Sequence, residues 1–133
     1  MSEENKKVVL EYVEAFNRRD EAALRRLFTE DALIYGVLGW GEIEKVVPIW
    51  RELWSGLDIQ LHVEGVVAEG DTVAVRYTER GTFVGAFFGH EPTGRTFELV
   101  AMEWFELQGG RIRRRWGARD SASQARQAGI PLG

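Results

Sequence analysis

The chain of 133 residues has no cysteine. Disulfides, thiolate nucleophiles and Cys-ligated metals are thereby excluded. Histidine is nearly as scarce: His62 and His90 are the two present, and neither has a partner at metal-ligand spacing, so no metal site is expected. An excess of positive charge is missing as well, since 17 Lys and Arg face 21 Asp and Glu for a net charge of -4. Such a balance gives no general pull toward nucleic acid. The one basic cluster, Arg111 to Arg115, alternates with Ile112 and reads as a solvated sheet face or a subunit seam. Long apolar runs are absent too; none approaches the ~20 residues of a membrane span. Residues 1–7 carry no signal-peptide core, so a cytoplasmic protein away from membranes is expected. Without linker, repeat or low-complexity segment, residues 1–133 read as one domain.

What is present is a pair of alternating periods. Helical spacing runs through Val8, Val9, Tyr12, Val13 and Phe16, and after Asp20, a suitable cap, through Ala23, Leu24, Leu27 and Phe28. A third helix is predicted over Glu42 to Trp54, with Ile43, Val46, Val47, Trp50, Leu53 and Trp54 inward and a kink or restart at Pro48. Leu33 to Tyr35 reads as a short strand and Gly36 to Gly41 as a loop. Ile59 to Val67, Thr72 to Thr78, Thr96 to Leu107 and Arg111 to Trp116 are rich in β-branched and aromatic residues and read as strands. Between the second and third of these lies Gly81 to Arg95, a wide glycine-rich crossing that ends in Pro92-Thr93-Gly94-Arg95, a turn in which Gly94 takes positive φ.

This order, from Val8 to about Gly129, resembles the SnoaL-like branch of the NTF2-like superfamily. The pieces that carry the likeness are Tyr12 to Asp20 with Ala23 to Ala32, the Glu69-Gly70-Asp71 turn between paired strands, the wide crossing, and the closing Gln124 to Gly129. The resemblance implies an α+β cone, with N-terminal helices over a curved, mostly antiparallel sheet and one open mouth. It also implies a cofactor-independent enzyme acting through an enolate on a small hydrophobic carbonyl compound, as a polyketide cyclase or an isomerase. The alternative from another class is a non-catalytic domain that binds a hydrophobic ligand or serves dimerisation, since a fold hosts many functions.

Three constellations are candidates for chemistry. If alternation is unbroken, Ile112, Arg114, Trp116, Ala118 and Asp120 share one strand face. By the resemblance Asp120 is the acid/base of a cyclase, with a pKa raised by burial; its rival role is to cap Ser121 to Ser123 or to pair with Arg119. Tyr12 and Glu103 fall, by likeness to ketosteroid isomerases, on an oxyanion-hole tyrosine and its partner acid, with Glu103 neutral and donating. That family's general base falls on Gly36. Likeness to limonene-epoxide hydrolases matches Arg80 to the arginine of an Asp-Arg-Asp set, but Thr82 and Ala118 stand in place of the two aspartates, which argues against epoxide opening. Aromatic side chains are plentiful, five of them tryptophan. Tyr35, Trp40, Trp50, Trp54, Phe87 and Trp116, with His90 at the crossing, are the expected contacts of a flat or cyclic hydrophobic ligand. Met102 and Trp104 share the opposite strand face and point to a homodimer.

Overall fold

The computed structural model describes residues 2–36 and 38–130. Ten elements follow in chain order: helix α1 (Ser2–Arg18), α2 (Glu21–Arg26), strands β1 (Phe28–Gly36) and β2 (Gly39–Gly41), α3 (Ile43–Leu57), β3 (Gln60–Glu69), β4 (Thr72–Thr82), β5 (Thr96–Gln108), β6 (Arg111–Arg119) and α4 (Ser121–Ala128). The strands make one sheet in the order β2-β1-β6-β5-β4-β3. β1 runs parallel to β6, and every other pairing is antiparallel. The α+β cone is thus present, with one parallel seam where the chain enters the sheet.

Local chemistry accounts for the element ends. Asp20 caps α2, its carboxylate accepting from the Ala23 N–H at 3.0 Å. Gly94 has φ +73, as its turn requires. α3 passes through Pro48 as one helix instead of restarting, because Pro48 sits on the exposed side, where solvent reaches the carbonyl that its missing N–H leaves unpaired. β1 begins at Phe28, earlier than periodicity suggested, and Gly39 to Gly41 pairs with it as β2 rather than forming a free loop.

The apolar stripe of α1 (Val9, Tyr12, Val13, Phe16) and that of α3 (Val46, Val47, Trp50, Trp54) are buried against the inner sheet face, where Val73, Val75, Leu99, Phe105 and Ile112 lie. Asn17 ties α1 to the outermost long strand through two 2.8 Å bonds, its Nδ2 donating to the Leu61 carbonyl and its Oδ1 accepting from the Leu61 N–H. An edge backbone is so paired by a side chain instead of being left open.

Two bulges decide what faces inward. In β3, Val63 pairs with Tyr77 and Gly65 with Arg76, so Glu64 is the extra residue. In β6, Leu107 pairs with Ile112 and Glu106 with Arg114, so Arg113 is extra. Each added residue reverses the side-chain parity beyond it. Past Arg113 the inward positions of β6 are therefore Arg115, Gly117 and Arg119. No helix among the described residues is long and apolar enough to cross a membrane.

Candidate active site

Between the inner sheet face, α1, α3 and the crossing that precedes β5 lies a cavity of about 110 Å³. A space of that size takes one small ring. Phe16, Ile34, Trp50, Leu53, Leu61 and Phe87 give it apolar walls. The crossing is held against the end of α3 by bonds from the Val84 and Gly85 N–H groups to the Gly56 carbonyl, at 2.9 and 3.1 Å, which brings Phe87 over the opening.

The sheet floor is polar. Tyr77 and Glu79 come from β4, Glu103 from β5, Arg115 and Arg119 from β6, and Tyr12 reaches down from α1. Glu103 lies at the centre. Its Oε2 meets Arg115 Nη1 at 2.7 Å and accepts from the Tyr12 hydroxyl at 3.2 Å, while its Oε1 accepts from the Tyr77 hydroxyl at 2.8 Å. Arg115 Nη1 also donates to the Tyr12 oxygen at 3.0 Å, closing the network. Gly117, directly opposite Glu103, leaves the room this needs: a Cβ there would sit 3.1 Å from Arg115 Nη2. Burial first, and then the Glu103 charge, raises the hydroxyl pKa of both Tyr12 and Tyr77, so both phenols stay protonated donors. For Arg115 burial works against the charge, but Glu103 and the phenols outweigh it and the guanidinium is held more firmly protonated than usual.

A second pair lies further along the same floor. Arg119 grips Glu79 with Nε on Oε1 at 2.9 Å and Nη2 on Oε2, a two-point contact that reaches across the small Ala101. Both side chains are largely withdrawn from water.

The structure sorts the expected residues. Tyr12, Glu103, Trp50 and Phe87 line the cavity. Asp120 does not: the Arg113 bulge turns it away, and it is the exposed N-cap of α4, accepting from Ser123 N–H at 3.1 Å and Ser123 Oγ at 2.7 Å. Those bonds lower its pKa, the reverse of the expected rise. Trp116 is turned outward by the same bulge and packs edge-on against Trp40, which in turn meets Tyr35; the three form an outer cluster away from this cavity, and Tyr35 and Trp116 line an open hollow on the outer sheet face. Trp54 is buried against Phe16 in the core without lining the cavity. His90 is exposed in the crossing, its backbone paired with that of Phe87. Glu103 is met by three groups that can donate, the Tyr12 and Tyr77 hydroxyls and the Arg115 guanidinium. Arg115, read from sequence as part of a solvated face or a subunit seam, is buried on the cavity floor.

Sequence reasoning also passed over Tyr77 and Glu79, although unbroken alternation from Val73 and Val75 puts both inward. For Arg115 and Arg119 no such signal existed, because the bulge is set by pairing with β5. Among the described residues no group of three or more His, Cys, Asp or Glu is arranged to hold a metal ion.

Comparison with known proteins places this geometry. A search of curated proteins found no match. Among solved structures, IdmH of Streptomyces antibioticus, a proposed polyketide cyclase, superposes with TM-score 0.83 at 28% identity over 95% of this chain and 99% of its own. AclR of Streptomyces galilaeus, a proposed hydroxylase, gives 0.89 at 25% identity over 100% and 89%. A proposed SnoaL-like polyketide cyclase from Jannaschia sp. CCS1 shares the fold, with TM-score 0.89 at 22% identity over 99% and 96%. The profile of the SnoaL-like polyketide cyclases matches residues 6–128. Nearly the whole cone, floor included, falls inside that match, and the chain belongs to the SnoaL-like polyketide cyclase family, on the NTF2-like fold.

Proposed function

We propose that this protein is a cofactor-independent acid/base enzyme that takes a small hydrophobic carbonyl compound through an enolate, as in cyclisation or isomerisation. The observation that carries the reading is the floor of the cavity: charged and phenolic side chains are withdrawn from water at the end of an apolar chamber. Burying such groups costs several kcal/mol unless each is paired. A cavity that only held an apolar ligand would gain nothing from them.

In this reading the ring or chain of the ligand lies against Trp50, Phe16 and Phe87, and its carbonyl oxygen accepts from one of the two phenols, Tyr12 or Tyr77. A floor carboxylate takes the proton next to the carbonyl. The C–H electron pair becomes the enolate double bond, and the charge moves to an oxygen held by donors that are in place before reaction. Turning one phenol from Glu103 to the ligand gives up one hydrogen bond, about 1 kcal/mol, and the Arg115 pair keeps Glu103 satisfied meanwhile. In a cyclisation the enolate carbon then attacks a second carbonyl, and the proton returns to the alkoxide.

Exchange of the methyl protons of acetophenone in D2O, followed by NMR, tests this. The protein should accelerate exchange well beyond matched carboxylate buffer, and Tyr12→Phe should slow it about tenfold or more. Bound acetophenone exchanging no faster than in buffer would refute the proposal.

The outer sheet face supports a second proposal, that two copies of the chain pair through it. Val67, Val100, Met102 and Trp104 are about half exposed or more there, beside the Tyr35, Trp40 and Trp116 cluster. An isologous contact would cover the same patch on both copies.

A further inference from the structure

The floor holds two carboxylates, and they are not equivalent. A carboxylate offers about four lone-pair directions. Glu103 has three of them filled by three side chains: Arg115 and Tyr12 on Oε2, Tyr77 on Oε1. Both directions of Oε2 are thus occupied, and the group is fixed from α1, β4 and β6 at once. Glu79 has a single partner among the described residues, Arg119, which takes one direction on each oxygen. One direction on each Glu79 oxygen is left over, on a residue that lines the cavity.

Position agrees with capacity. Tyr77 and Glu79 are two residues apart on one face of β4, which runs without a bulge from Thr72 to Thr82 against β5. Same-face neighbours on a strand are roughly 6–7 Å apart. That separation suits a donor that holds a carbonyl oxygen and a base that reaches the adjacent carbon's hydrogen. Glu103, already bonded to both phenols, would have to break the donor cluster in order to act.

From this we infer that Glu79 is the catalytic base and Arg119 its counterion, while Glu103 is a positioning residue that holds the Tyr12 and Tyr77 phenols on the floor until one turns to the ligand. The assignment rests on the enolate reading above. In the step itself the α-proton passes to a Glu79 oxygen, the C–H pair forms the enolate, and Glu79 gives a proton back to carbon or to the new alkoxide; no oxidant or co-reactant takes part. Asp120 enters only indirectly. Its N–H bonds the Val100 carbonyl at 3.2 Å and its side chain caps α4, which fixes the end of β6 where Arg119 is carried.

The test uses the whole protein with acetophenone exchange and, as an independent probe of a cavity carboxylate, the ring opening of 5-nitrobenzisoxazole. Glu79→Gln should lower both rates about a hundredfold or more while acetophenone affinity, measured by NMR titration, changes less than about threefold. Glu79→Asp keeps the charge and the Arg119 partner but shortens the reach by one methylene; it should stay folded and lose about tenfold or more of the rate, so the test survives a Glu79→Gln that fails to fold. Asp120→Asn preserves a good cap and should keep the wild-type rate. Full activity in folded Glu79→Gln or Glu79→Asp, or loss of activity in Asp120→Asn alone, overturns the assignment but leaves the enolate reading standing. Wild-type protein that binds acetophenone and turns over neither probe overturns both.

Discussion

Removing Arg115 separates a desolvated ion pair from a decorative one. In Arg115→Met the stem is roughly preserved, and Glu103 keeps its bonds to Tyr12 and Tyr77 but loses the guanidinium at 2.7 Å. Each side chain of the pair is about one tenth exposed, 10% and 11%. Breaking a buried pair by removing one partner costs about 3–5 kcal/mol. The two remaining phenol bonds and the residual water contact soften this, which leaves an expected loss of about 2–4 kcal/mol. Glu103→Gln strands the guanidinium instead and should cost a similar amount. The double variant carries no buried charge, and Gln at 103 can still accept from the phenols, so it should be more stable than the sum of the two losses implies by about 2 kcal/mol or more. Urea unfolding at pH 7, followed by the fluorescence of the five tryptophans, gives all three values. Single losses under about 1 kcal/mol that simply add would mean that water reaches the pair, and the account of a closed polar floor would be wrong.

Three further outcomes are expected. Because Tyr12 and Tyr77 have raised pKa values in the folded chain, their contribution is fully present below the unfolded value of about 10 and is lost as pH rises beyond it; ultraviolet titration should show two of the three tyrosines ionising only as the chain unfolds. Asp120 has a lowered pKa, so its capping contribution is present above about 3.9 and fades as pH falls through the folded value; Asp120→Ala should lower Tm by about 2–4 °C near neutrality, and the gap should narrow toward pH 2–3, roughly one unit below that reference. If two copies pair through the outer face, Met102→Asp with Trp104→Asp should convert a dimer to a monomer in sedimentation without loss of Tm; a wild-type monomer at high micromolar concentration would remove the idea.

Much of the fold was legible in the residues because it depends on short-range periodicity. The stripe Val9, Tyr12, Val13, Phe16 and the alternation Val73, Val75, Tyr77 each specify a face without reference to anything distant, and Gly94 specifies its own turn. The cavity positions of Tyr12 and Trp50 follow from such patterns, whereas Phe87 is brought there by the bonds that tie the crossing to Gly56. What the sequence could not decide is parity beyond an irregularity. Arg113 is one of three consecutive arginines and nothing local marks it as the residue that bulges; the choice is made by the pairing of Leu107 with Ile112 and Glu106 with Arg114 across β5 and β6. A one-residue slip exchanges every side chain between the two faces. That is why Asp120 and Trp116, inward by simple alternation, end up outside, and why Arg115, which read as part of a solvated face or a subunit seam, and Arg119 come to rest beside Glu103 and Glu79. Only the tertiary structure supplies those two carboxylates with the counterions that let them sit on the floor of an apolar cavity.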